Sequence, residues 1–173
     1  MHLITRKGSE QMTISVKCWR RIAVGMVVVV CCLSFSACDG DYSVPITSGP
    51  TRKIDQQLLG NWVSKDGTDK MKVRRLDDSV YIVSYNGDLF RAFHSDVGKT
   101  SFVSLQDIES PGRKYSYVTY KLSADGKRLD VRVVDSKVIP KELKNSASVQ
   151  KLLTKNSENP KLFGDEGQFI KEK

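Results

Sequence analysis

Among 173 residues, the one best placed for covalent chemistry is Cys38, because of what precedes it. Lys17, Arg20 and Arg21 give a positive start, residues 22–35 (IAVGMVVVVCCLSF) carry no charge, and Ser36 and Ala37 lead into the thiol. Positive, apolar and small-residue blocks in that order make a secretory signal. Fourteen apolar residues fall short of the ~20 that a spanning helix needs. Beginning translation at Met12 would give the signal a compact positive region, so Met12 is the expected start. The other cysteines, Cys18, Cys31 and Cys32, lie upstream. From Cys38 onward the chain therefore has one thiol and no disulfide, and must hold together by packing.

Other chemistry is sparse. His94 is the only histidine after Cys38, so a His-rich or Cys-rich metal site has no ligands, and none is expected. A serine nucleophile would need His94 as its base, but there is no Gly-x-Ser-x-Gly elbow; His94 reads as a strand-end residue, surface or partly buried. Asp66-Gly67-Thr68-Asp69 lacks the spacing of a calcium loop and fits turn chemistry. Asp77 and Asp78 are adjacent, which points strand carboxylates to opposite faces, so they too suit a turn better than paired acid–base work. Of the adjacent Arg74 and Arg75, one is expected to point outward and the other is undecided. The chain is read as a non-enzyme without cofactors. From Cys38 on, 23 basic residues face 19 acidic ones, a net charge of +4 with no concentrated stripe, and nucleic acid is not an expected partner.

Phe35-Ser36-Ala37-Cys38 resembles the bacterial lipobox. The resemblance implies removal of residues 1–37, a diacylglyceryl thioether on Cys38, and an N-acyl chain such as palmitate. At ~0.8 kcal/mol per buried CH₂, several chains make attachment effectively permanent. Asp39 resembles the residue that retains enteric lipoproteins in the inner membrane, which implies the periplasm, with the outer membrane as the other address. More broadly, the chain resembles small envelope lipoproteins that carry no assigned activity.

The elements that follow are mostly strands. Residues 39–53 (DGDYSVPITSGPTRK) read as flexible, so 38–56 is assigned as lipidated cysteine and tether. Strands are expected at 60–65, 70–76, 79–85, 88–94, 100–107, 113–123 and 127–134, making 57–135 an antiparallel meander. Asn86-Gly87 and Asp125-Gly126 mark tight hairpins. In 127–134, Leu129, Val131 and Val133 alternate with Arg128, Asp130 and Arg132, which gives one buried and one wet face. Residues 136–173 should supply a helix capped by Ser146, with Val149, Leu152 and Leu153 on its apolar side, a shorter helical turn at 140–144, and an irregular segment or short strand in 157–173.

Leu59-Gly60-Asn61-Trp62 resembles the Gly-x-Trp signature of lipocalins, in which the tryptophan closes the base of the barrel. Together these features predict a mainly β chain with minor α, forming a small or half-open lipocalin-like barrel with a C-terminal helix. Tyr81, Tyr85, Tyr115 and Tyr117 could line a concave face for a hydrophobic ligand, form a partner surface, or fill the interior. The expected role is a lipid-anchored protein-interaction module. The alternative is a lipocalin-like carrier of a small hydrophobic ligand.

Overall fold

The computed structural model describes residues 42–173. Eight strands run in sequence order: β1 (Gly60–Ser64), β2 (Lys70–Arg75), β3 (Val80–Tyr85), β4 (Asp88–His94), β5 (Phe102–Asp107), β6 (Tyr115–Leu122), β7 (Arg128–Val134) and β8 (Phe163–Lys171). Each pairs antiparallel with the next, and β8 returns to β1, with Trp62 opposite Lys171 and Ser64 opposite Phe169, so the barrel is closed. The half-open form gives way to closure because the strands are short and most hairpins tight. Eight strands then fit where fewer were expected, and the tail supplies the last. Closure removes both exposed edges of the meander.

The period of two divides each strand cleanly. Inward residues Trp62, Val73, Tyr81, Val83, Phe90, Val103, Val118, Leu129 and Phe169 make one core along the axis. A second core lies outside the wall, where Phe102, Tyr117 and Val134 are covered by Tyr42, Ile46, Ile139, Leu162 and the helix residues Val149 and Leu153. Two-faced strands such as β6 are explained by this double coverage.

The outer cover corrects the tether reading from Tyr42 onward. Residues 42–53 form a strap laid across the wall from β6 to the end of β4. Tyr42 pairs with Tyr115 through two backbone hydrogen bonds, the Ile46 amide donates to the Ser104 hydroxyl, and the Thr51 amide donates to the His94 carbonyl. Ile46 is fully buried and Tyr42 is 2% exposed. Gly, Ser and Pro between them let the backbone follow a curved surface, while the two apolar side chains are what hold it there.

Past the strap, Ile54 and a 3-10 turn (Gln56–Leu58) seal one end of the barrel. Trp62 Nε1–H donates to the Leu58 carbonyl at 2.9 Å, and Lys171 Nζ sits 5.1 Å from the centre of the Trp62 ring while donating to Gln57 O. Gly60 has φ of +144°, a region essentially confined to glycine, and an added Cβ would fall 2.6 Å from Lys171 Cε. Gly60→Ala is expected to cost on the order of 1–3 kcal/mol, read as a lower urea midpoint at unchanged slope. Wild-type stability would contradict this.

The helix α1 (Ser146–Lys155) is where the periodicity puts it, but its cap is Asn145, whose side chain accepts from the Ser148 amide; Ser146 instead donates to the Pro45 carbonyl in the strap. Residues 140–144 contain turns and no helix.

Candidate functional site

A row of cations stands on the outside of β2. Lys70, Lys72 and Arg74 are exposed and, two residues apart, share one face; Val73 between them is buried in the axis. Their outward neighbours are Asn61 and Val63 on β1, Ile82 and Ser84 on β3, and Leu89 and Arg91 on β4. No carboxylate faces outward from these four strands, so nothing on them neutralises the row. Arg74 lies along the surface, donating to the Gly60 carbonyl at 2.8 Å and to Asn61 Oδ1 at 2.5 Å. Arg91 covers the Phe93 ring at 5.1 Å. Arg74 is thus the outward member of the Arg74–Arg75 pair, while Arg75 pairs with Asp78 at the turn. The whole-chain charge concealed the row, although Lys-x-Lys-x-Arg within a strand is a legible signal for a one-sided cationic face.

A second polar group is sealed beneath the strap. His94 is fully buried rather than at a surface, because residues 51–55 cross above it. Tyr81 Oη lies 2.8 Å from His94 Nε2 and accepts the Asp55 amide at 2.5 Å. The Tyr81–His94 bond engages Nε2, and the other ring nitrogen, Nδ1, is buried without a hydrogen-bond partner. Burial, aided by the Arg52 guanidinium, pushes His94 down to about 4, and burial pushes Tyr81 up to about 12. The pair is therefore neutral at physiological pH. Arg52 closes the lid by donating to Ser101 and Tyr120 and pairing with Asp96 at 3.3 Å.

The four tyrosines do not form one surface. Tyr81 and Tyr85 point into the barrel, with Tyr85 edge-on to Phe169. Tyr115 and Tyr117 point out beneath the strap; Tyr117 stacks on Tyr42 at 4.0 Å and donates to the Val44 carbonyl at 2.6 Å. The acidic turns serve turn geometry. Asp66 accepts from Ser64, the Thr68 amide and the Thr68 hydroxyl, and Asp77 accepts from the Ser79 amide. Among the described residues no group of three or more His, Cys, Asp or Glu stands together as a metal site. Cys38 and Asp39 lie outside the described residues.

Between β6, β7 and β8 an outer groove of about 200 Å³ is lined by Thr119, Asp130, Arg132 and Phe163 among others. Asp130 presents one carboxylate oxygen without a partner, and Arg128 stands 3.6 Å from the other. Compared with known families, curated proteins and solved structures, the chain matches none.

Proposed function

We propose that this chain is a lipid-anchored envelope protein whose barrel is a docking module for an acidic partner protein, received on the outer face of β1–β4. The observation that carries the reading is the row Lys70, Lys72 and Arg74, which meets no outward carboxylate on β1–β4 and is flanked by the half-buried Val63 and Ile82. Cations beside apolar patches steer an acidic surface into place and then bury area against it. The barrel is compatible with carriage of a small apolar ligand, but Trp62, Tyr81, Phe90 and Phe169 occupy its axis, and recognition falls to the outside. Anchoring at Cys38 rests on the lipobox-like FSAC and remains the source of the address, the inner membrane facing the periplasm.

A photo-crosslinking residue at Lys72 is expected to trap one discrete partner in intact cells, with far less adduct from the same residue at Thr119. The adduct should fall at least several-fold with Cys38→Ser, which moves the protein to the soluble fraction. Equal background at both positions would remove the docking reading, and membrane retention of Cys38→Ser would remove the anchor.

A further inference from the structure

We infer that residues 51–55 are an acid-released latch: a proton on His94 lifts this half of the strap off the end of the barrel while the barrel itself stays closed. Neither the anchor nor the docking face is needed for it. The two halves of the strap are held by different forces. Residues 42–47 are fastened by apolar burial: Tyr42 and Ile46 are almost wholly buried, Tyr42 stacks on Tyr117, and the Ile46 carbonyl accepts from Gln150 on α1. Residues 51–55 bury Ile54, while Thr51, Arg52 and Lys53 are exposed. What fastens them is mostly polar. The Thr51 amide donates to the His94 carbonyl, and its hydroxyl lies between that carbonyl and Asp96. Arg52 spans Ser101, Tyr120 and Asp96, the Ile54 amide donates to the Asp78 carbonyl, and the Asp55 amide donates to Tyr81 Oη. A segment with few apolar contacts and many hydrogen bonds near solvent opens at lower cost than the core beneath it.

His94 is where these fastenings meet. It is 0% exposed, its Nε2 lies 2.8 Å from the same Tyr81 Oη that takes the Asp55 amide, and its Nδ1 is buried without a partner. A protonated imidazole donates from both nitrogens, and in the closed form one of them has nothing to donate to. The charged and titratable groups facing the ring are Arg52 and Asp55 from the latch, Asp96 beyond β4, Tyr81 on β3 and Tyr120 on β6. Burial, then Arg52, push His94 down to about 4 against the pull of Asp96 and Asp55. Lifting residues 51–55 admits water to the ring and takes Arg52 away, which relieves both. The open form therefore binds the proton more tightly, and opening must rise as pH falls. Its limit is about tenfold per pH unit from about 6.5 down to about 4, below which the closed form is protonated as well and the rise ends. What the latch uncovers is the polar end of the barrel around Tyr81, His94 and Tyr120.

Residue-resolved amide hydrogen exchange on the full-length chain, corrected for the intrinsic pH dependence of exchange, separates latch from barrel. The Thr51 and Asp55 amides are expected to be less protected than Ile46 and the amides of β4 and β5 throughout the range from pH 6.5 to 5. Their protection should also fall by close to tenfold per pH unit. In His94→Gln that slope should vanish. Protection at 51 and 55 equal to that of β4 and β5 would mean that the latch leaves only when the barrel unfolds. Early exchange without a pH slope, or a slope that persists in a folded His94→Gln chain, would mean that the histidine does not operate it. Each of these results overturns the inference, and the first two are read on the native chain, whatever becomes of the variant.

Discussion

A chain begun at residue 54 is expected to lose most of its stability, although the sequence marks everything before that point as tether. The strap buries Tyr42 and Ile46 almost completely, and burial of each large apolar side chain contributes roughly 1.5–3 kcal/mol. Its loss also strips partners from Ser104 and Ser95 and uncovers Phe102, Tyr117 and Ile139. Ser95 and Ser104 keep the bond between their own hydroxyls, and each strap hydrogen bond lost contributes about 0.5–1.5 kcal/mol. The sum is comparable with the roughly 5–15 kcal/mol that holds a typical domain folded. Urea unfolding of chains begun at 39 and at 54 measures the difference directly, with dye binding reporting exposed apolar surface. Coincident midpoints would show that the strap is dispensable and the outer core self-supporting.

The second large effect is on acid stability. His94 titrates near 4 in the fold and near 6.5 when unfolded, so between those values the unfolded chain binds the proton and the folded chain does not. Stability is therefore fully present above about pH 6.5 and declines as pH falls toward 4. A shift of this size corresponds to a loss on the order of 3 kcal/mol. The carboxylates Asp66, Asp107 and Asp125, held below their usual range by hydrogen bonds, contribute from about pH 5 downward. The upper window thus belongs to the one histidine. In a His94→Gln chain the slope of unfolding free energy between pH 6.5 and 5 should nearly vanish, whatever its absolute stability. An unchanged slope would mean that another group titrates there.

Seven strands were legible because turn chemistry and alternation agree in them: Asn86 and Gly87 both take the positive φ of their hairpin, at Asp125-Gly126 the glycine alone does, and Leu129, Val131 and Val133 do face inward. β8 was obscure for the opposite reason. Gly164 and Gly167 interrupt its apolar pattern, and only pairing on both sides makes Phe163–Lys171 a strand. The strap was hidden by composition, since two buried side chains among Gly, Ser and Pro leave no period to detect. His94 was misplaced along with it, because its burial depends on residues some 40 positions away. The tyrosines were recognised as strand residues, but which face each took depended on knowing that both faces of the wall are covered. The cationic row was present in the letters and was lost by averaging charge over the whole chain.

The strap also imposes an order of assembly. Ribosomes deliver Tyr42 and Ile46 before the barrel, yet Tyr42 docks on Tyr115, Tyr117 and Ile139, and the Ile46 carbonyl accepts from Gln150, 104 residues later. Contacts this distant in sequence form late and slowly. The earliest of these segments to be synthesised is thus among the last to find its place, and until α1 arrives Phe102 and Tyr117 stand bare on the outside of the barrel. Chaperone dependence and misfolding in this chain should therefore concentrate on the outer wall of β5 and β6 and on the β1–β8 seam, where Trp62 meets Lys171 across as long a stretch of chain, while the meander β1–β7, built from neighbouring hairpins, forms early.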